Sequence, residues 1–178
     1  MNNSIKIFAI AGSLRKNASN INILKAVALM APGYVDFIIY EGLGDLPHFN
    51  DSDDAPDPVI DFRRRLSEAD GVFICTPEYA FGVPGVLKNC LDWTVGSGEF
   101  VNKPVAFISA ATGGDKAYAS LLLTLTALSS KITEGATLLI SFVRSKLNDK
   151  GEIADPATYE AVRSVLDVLI NTIKESKV

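Results

Sequence analysis

The stretch Ile5-Lys6-Ile7-Phe8-Ala9-Ile10-Ala11, followed at once by Gly12-Ser13-Leu14-Arg15-Lys16-Asn17-Ala18-Ser19-Asn20, decides the fold. Apart from Lys6 the first seven residues are apolar and do not alternate with polar ones. A strand formed here is buried on both faces, as in a parallel sheet covered by helices. The next nine residues turn polar and end in Ser19-Asn20, two residue types favoured as N-caps. Beyond them Ile23, Val27 and Met30 (or Ala26) keep helical spacing. Buried strand, polar loop and helix start together make the opening unit of an alternating α/β domain.

The same pattern recurs along the chain. Runs rich in β-branched and aromatic residues predict strands at Tyr34 to Tyr40, Gly71 to Cys75, Val105 to Ser109 and Thr137 to Phe142. Between them lie helices with readable ends. Asp57-Pro58, read as a cap followed by proline, opens one carrying Ile60, Phe62 and Leu66. Another follows Pro84, with Leu87, Leu91 and Trp93 as core or subunit contacts, and a fourth runs from about Lys116 through Leu128. Asp155-Pro156 opens the last, placing Val162, Val165, Leu166, Leu169 and Ile173 on one face. Five strands alternating with five helices require right-handed crossovers between parallel strands. The leading architecture is a flavodoxin-like three-layer α/β/α sandwich with strand order 2-1-3-4-5, whose ligand crevice lies beyond the carboxyl ends of strands 1, 3 and 4.

Composition agrees and excludes much. With 178 residues, 48% hydrophobic and 21% charged, the chain reads as one compact domain over residues 1–178. At this length about 70% of the unfolded surface is buried on folding, so the core needs no disulfide or structural metal. Cys75 and Cys90 lack C-x-x-C spacing and read as buried thiols. The net charge of −4 argues against a nucleic-acid partner recruited by the overall field. No apolar run approaches the roughly 20 residues that span a bilayer. Lys6 interrupts the first apolar run, and Ser13-Leu14-Arg15 continues it into a loop and helix rather than a cleavage site, so a cytoplasmic location is expected.

Three loops fall at the ligand-binding end. The first, Gly12 to Asn20, combines hydroxyl and amide donors with Arg15 and Lys16 at a helix N-terminus, where free N–H groups and the dipole favour anions. It reads as a phosphate cradle, or as an ordinary capped turn with solvated cations. It matches neither G-x-x-x-x-G-K-[ST] nor G-x-G-x-x-G. In the second, Thr76-Pro77-Glu78-Tyr79-Ala80-Phe81-Gly82-Val83-Pro84, Tyr79 and Phe81 offer flat apolar surface. Backbone N–H groups from Glu78 to Gly82 suit the polar edge of a planar heterocycle. The alternative is that these aromatics fold back onto the core or a neighbouring subunit. The third loop, Ser109-Ala110-Ala111-Thr112-Gly113-Gly114-Asp115, is small and glycine-containing, which permits close backbone approach to a ring.

Gly12-Ser13-Leu14-Arg15 with Asn20, then Pro77-Glu78-Tyr79 with Val83-Pro84-Gly85-Val86-Leu87-Lys88-Asn89-Cys90-Leu91-Asp92-Trp93, resembles the NADPH-dependent FMN reductase family, which includes quinone, azo-dye and chromate reductases. The resemblance implies FMN as cofactor and NAD(P)H as co-substrate. It places the FMN phosphate on Ser13, Arg15 and Asn20, assisted by Ser19 and the N–H of Ile21. Pro77, Glu78, Tyr79 and Ala80, with Phe81 beside them, would line the isoalloxazine, and Ser109, Ala110, Gly113 and Gly114 would flank its other side. Family loops often carry serine where this chain has Ala18, and Asn-Tyr-Ser where it has Ala80-Phe81-Gly82. A homodimer or homotetramer is implied, with the Leu87 to Trp93 helix and residues 41–58 near the contact.

The implied activity passes electrons from NAD(P)H through flavin to a quinone, azo compound, free flavin or metal oxyanion, with no catalytic side chain required. A flavodoxin-like electron carrier without nicotinamide turnover, and a non-redox module for a phosphorylated ligand, are the alternatives. The single histidine, His48, reads as solvated or at an interface. Asp51, Asp53, Asp54 and Asp57 lack the spacing of an EF-hand. Arg63-Arg64-Arg65 reads as a solvated helix face, with attraction of the NADPH 2′-phosphate as the lesser alternative.

Overall fold

A computed structural model describes residues 4–51 and 54–177. In chain order its elements are β1 (Ile5–Ala11), α1 (Ser19–Met30), β2 (Val35–Tyr40), α2 (Asp57–Glu68), β3 (Gly71–Thr76), α3 (Gly85–Asp92), β4 (Val105–Ala110), α4 (Asp115–Ala127), β5 (Thr137–Ile140) and α5 (Pro156–Ser176). Short 3-10 turns occupy Gly42–Asp45 and Val143–Lys146. All paired strands are parallel, in the order β2-β1-β3-β4-β5 expected of a flavodoxin-like sheet.

Both faces of the sheet are covered. Successive side chains of a strand point to opposite faces, and the strands sort accordingly. Ile7, Ala9, Phe73, Cys75, Ala106 and Ile108 pack with α1 and α5, through residues such as Ile23, Leu24, Val27, Val162, Leu166 and Ile170. Phe8, Ile10, Val72, Ile74 and Phe107 pack with α2, α3 and α4, through Phe62, Leu66, Leu87, Leu91 and Leu121. Every residue of β3 and β4 is buried. Phe62, Phe73 and Phe107 are completely enclosed, each stabilising the fold by about 1.5–3 kcal/mol through removal from water.

The structure departs from the sequence pattern at four points. Neither Ser19 nor Asn20 caps α1; Ala18 holds the N-cap position, and no side chain bonds the exposed amides. Pro56 rather than Asp57 is the N-cap of α2, with Pro58 in its first turn. Val59, Phe62 and Leu66 form the buried face of that helix, while Ile60 is 53% exposed. A residue two positions from Phe62 lies on a different side of the helix, so Ile60 cannot share its face. β5 stops at Ile140 because Phe142 adopts a left-handed conformation, φ 51°, which ends the strand.

Cys75 and Cys90 are buried free thiols, and burial pushes both well above the ordinary value of 9.0. Trp93 is a core residue. His48 is exposed. Asp53 lies outside the described residues; among the described residues no group of three or more His, Cys, Asp or Glu is arranged to hold a metal, and no helix is long and apolar enough to cross a membrane.

The start of α5 follows the cap-plus-proline reading. Asp155 Oδ2 accepts from the Thr158 amide at 2.9 Å and from its hydroxyl at 2.6 Å, and Lys146 approaches the other oxygen at 3.3 Å. The Thr158 hydroxyl, then its amide, then Lys146 hold the Asp155 carboxyl below its ordinary 3.8. Because the folded-state value is depressed, the stabilisation is present above the unfolded-state pKa and is lost as pH falls through the folded one. Asp155→Ala should lower the melting temperature by roughly 2–4 °C at neutral pH. The gap to the unmutated protein should narrow below about pH 4. Thermal melts of both proteins across that range check it.

Candidate functional site

The register of the sheet brings the three loops to one level. Ala11 pairs with Cys75, Thr76 with Ser109 and Ala110 with Ile140, so the chain leaves β1, β3 and β4 at the same edge. Gly12 makes that edge compact. Its amide donates to the Cys75 carbonyl at 2.8 Å, and a Cβ at this position would lie 2.5 Å from Thr76 Oγ1, so no side chain fits.

The first loop delivers an open helix end. The leading amides of an α-helix have no intrahelical acceptor, and with Ala18 as N-cap no side chain covers those of Ser19, Asn20 and Ile21. Asn20, only 1% exposed, donates through Nδ2 to the Cys75 carbonyl at 3.3 Å while its Oδ1 has no partner. Ser13 is buried; its hydroxyl lies 3.2 Å from the Tyr79 hydroxyl and accepts the Arg15 amide at 3.3 Å, tying the first loop to the second.

The second loop is a tight reverse turn. Tyr79 and Gly82 exchange both backbone hydrogen bonds, at 2.9 and 3.0 Å, around Ala80 and Phe81, whose φ angles are 48° and 60°. Two successive positive φ values define a type I′ turn. The amides of Tyr79 and Gly82 are therefore occupied, leaving those of Glu78, Ala80 and Phe81 without an intramolecular acceptor among the described residues. The Glu78 carboxylate accepts the Lys116 and Ala117 amides at 2.9 and 3.0 Å, so it caps α4 from a distance. In the third loop Ser109 is fully buried and donates to the Gly114 carbonyl at 2.8 Å. Gly114, at φ 101°, has Leu139 and Ser109 so close that a Cβ would clash.

Between these loops lies a cavity of ≈ 180 Å³. Of the residues singled out from sequence, Arg15, Ser19, Asn20, Pro77, Glu78, Tyr79 and Ala110 line it. The others stand back from it. Ser13, Ser109 and Gly114 form its supports, Ile21 packs its side chain against the core, and Gly113 sits exposed beside Glu78. Ala80 and Phe81 form the turn tip, where Phe81 is 81% exposed. Asn17 and Ala18 of the first loop and Ala111 and Thr112 of the third complete the lining, together with Val143 and Arg144, to which the sequence did not point. Val143 and Arg144 follow the edge strand β5, outside the three loops that fold topology nominates. The Arg63–Arg65 run lies elsewhere. Arg63 bonds the Trp93 carbonyl, Arg64 pairs with Asp61 and Glu68, and Arg65 pairs with Asp61.

The specific segment after Pro84 holds the scaffold rather than the cavity. Trp93 Nε1 and Asn89 Nδ2 both donate to the Pro47 carbonyl, at 2.8 and 3.0 Å, and Asn89 Oδ1 accepts the Phe49 amide at 2.8 Å. These bonds dock the long connection between β2 and α2. Lys88 and Asp92 form an exposed ion pair at 2.6 Å.

A doubly wound sheet of this order, with an uncapped helix end and an aromatic turn at its switch point, is flavodoxin-like, and its crevice has the polarity that suits an anion. Residues 5–144 match the NADPH-dependent FMN reductase family, and the chain belongs to it. It is 30% identical to an NAD(P)H-dependent FMN reductase of Pseudomonas aeruginosa over 178 residues, 95% of each chain. It is 36% identical to a 2-hydroxy-1,4-benzoquinone reductase of a Burkholderia species over 115 residues, 62% of each chain. Among solved structures, the flavoenzyme NAD(P)H:(acceptor) oxidoreductase FerB from Paracoccus denitrificans superimposes with a TM-score of 0.84 at 28% identity, covering 96% of this chain and 98% of that one. The protein is thus an oxidoreductase with FMN as cofactor and NAD(P)H as reductant.

Left-handed backbone costs an alanine about 1–2 kcal/mol, and asparagine tolerates it better. Ala80→Asn should therefore raise unfolding free energy by about 0.5–1 kcal/mol without disturbing the exposed turn. Urea denaturation of the two proteins measures the difference.

Proposed function

We propose that this protein reduces quinones at the expense of NAD(P)H, with FMN seated in the cavity between the first, second and third loops. The single observation that carries the reading is the uncapped start of α1, open to a cavity that also holds Arg15 and the Tyr79 wall. The residues fit the cofactor. Three free amides, the Arg15 guanidinium and the Ser19 hydroxyl are donors suited to a phosphate. The orphaned Oδ1 of Asn20 is an acceptor awaiting an O–H, such as a ribityl hydroxyl offers.

When bound, FMN supplies the redox chemistry, accepting a hydride from NAD(P)H and passing two electrons to the acceptor. The chain's own residues bind and orient. Arg15, Ser19 and the α1 amides hold the phosphate. Tyr79 packs against the ring, held in place by its contact with Ser13. The amides of Glu78, Ala80 and Phe81 serve the ring's polar edge. Glu78 is the one acidic side chain lining the cavity, and its Oε2 is engaged in capping α4, which turns that oxygen toward the Lys116 and Ala117 amides. Quinones lead the acceptors because of the similarity to quinone reductases; azo compounds, free flavin and metal oxyanions form the wider set. A single cytoplasmic FMN-binding domain assembled as a homodimer or homotetramer belongs to the same reading, and the exposed Phe49 and Val95 beside α3 suit such a contact.

Purified protein supplied with FMN should show flavin absorbance that bleaches on anaerobic addition of NAD(P)H and returns with a benzoquinone. An electron carrier would bind FMN yet fail to bleach at a useful rate, and absence of both flavin binding and NAD(P)H oxidation would sink the proposal. Arg15→Ala should weaken FMN binding about tenfold or more. Its thermal melt without FMN should not change, since Arg15 is exposed. Equal FMN affinity in the two proteins would remove Arg15 from the phosphate site.

A further inference from the structure

We infer that Arg144, from the turn after the edge strand, is a second cationic clamp for the cofactor's phosphate monoester and sets the preference for FMN over riboflavin. The inference rests on the FMN reading above and adds a residue outside the three loops that fold topology nominates.

Four of the chain's six arginines are engaged within the described residues. Arg63 bonds the Trp93 carbonyl, Arg64 and Arg65 pair with carboxylates on their own helix, and Arg163 pairs with Asp167 at 3.9 Å. Arg15 and Arg144 alone have no acidic or carbonyl partner among the described residues, and both line the same cavity. They reach it from the loops after β1 and β5, which β3 and β4 separate in the sheet. Two unpaired guanidiniums on one small cavity repel each other until an anion joins them, and the one acidic side chain on its walls, Glu78, pairs with neither but accepts the amides at the start of α4.

The backbone around Arg144 is built to hold it there. Phe142 takes up φ 51° although its side chain is 67% exposed and gains little from packing. What the strained residue achieves is a turn stitched to the third loop. The Phe142 amide donates to the Thr112 carbonyl and the Val143 amide to the Ala111 carbonyl, each at 3.1 Å, while Ser141 Oγ donates to the Gly113 carbonyl at 3.0 Å. Val143 is buried, so the Cα of Arg144 is fixed at the rim while its side chain remains exposed. Backbone strain at a bulky, exposed residue is retained where the surrounding structure uses the resulting geometry.

Charge selects the ligand. A phosphate monoester carries about −1.5 to −2 at neutral pH and three acceptor oxygens. One arginine and a helix end of about +0.5 balance only the lower end of that range, whereas a second forked guanidinium carries the positive side past the full dianion. Riboflavin presents no charge at this position.

The test is a fluorescence titration of FMN and riboflavin against the unmutated protein, Arg144→Ala and Arg144→Lys, at low and moderate salt, with NADPH and NADH KM values measured alongside. Arg144→Ala should weaken FMN about 10- to 100-fold. It should leave riboflavin affinity unchanged, reduce the salt dependence of FMN binding, and melt without FMN at the same temperature. Arg144→Lys should recover part of the loss as a point charge. Unchanged FMN affinity in Arg144→Ala overturns the inference, whether or not the NADPH to NADH preference shifts, and so does an equal loss for FMN and riboflavin. If the unmutated protein binds no flavin at all, the FMN reading fails with it. If it binds FMN and only Arg15→Ala weakens that binding, the FMN reading stands and the role of Arg144 falls.

Discussion

A parallel sheet whose central strands are shut away from water on both faces leaves its connections only two edges along which to run, and that constraint organises this molecule. Nothing in β3 or β4 reaches solvent, so each strand must be followed by a helical crossover that returns the chain to the starting edge. The starts of α1, α3 and α4 therefore gather at the edge where the strands end. Helix beginnings carry unsatisfied amides, and a sheet of this order opens a crevice among them at its switch point. The ligand site follows from how the core is buried, before any particular side chain is considered.

Much of what makes the site specific is support. Glu78 joins the second loop to the start of α4, Ser13 joins the first loop to Tyr79, and Ser109 pins the third loop through Gly114. Asn89 and Trp93 anchor the long connection after β2 through one carbonyl, that of Pro47. In a site whose cofactor performs the chemistry, precise placement of a few donors is the protein's main contribution. The side chains that attract notice in the sequence divide accordingly between those that face the cavity and those that keep its walls in register.

Strand positions, order and crevice were legible because runs buried on both faces have a pattern that a single-faced sheet lacks. Details set by contacts between distant segments were not. Ile60 is as apolar as Val59, and only the common face of Phe62 and Leu66 decides which of them turns inward. Ser19 and Asn20 have the chemistry of caps, yet Asn20 is drawn inward by the Cys75 carbonyl, 55 positions away. Arg144 escaped notice because its place depends on backbone bonds to Ala111 and Thr112, and the only local hint was a pair of basic residues, Arg144 and Lys146, just after the last strand. The turn at Ala80-Phe81 was equally hidden, since neither residue favours the conformation it adopts.

The enclosure of the two cysteines has a chemical consequence. Quinones are electrophiles as well as oxidants, and thiolates add to them readily. Cys75 sits at the end of β3, one residue before the loop that borders the cavity, and its carbonyl holds Gly12 and Asn20 in place. A nucleophilic sulfur there would be alkylated by the acceptors proposed for this enzyme, with damage transmitted directly to the first loop. Burial removes both access and the reactive ionised form. The packing that holds the sheet together thus also keeps the chain's two thiols out of reach of the acceptors proposed for it.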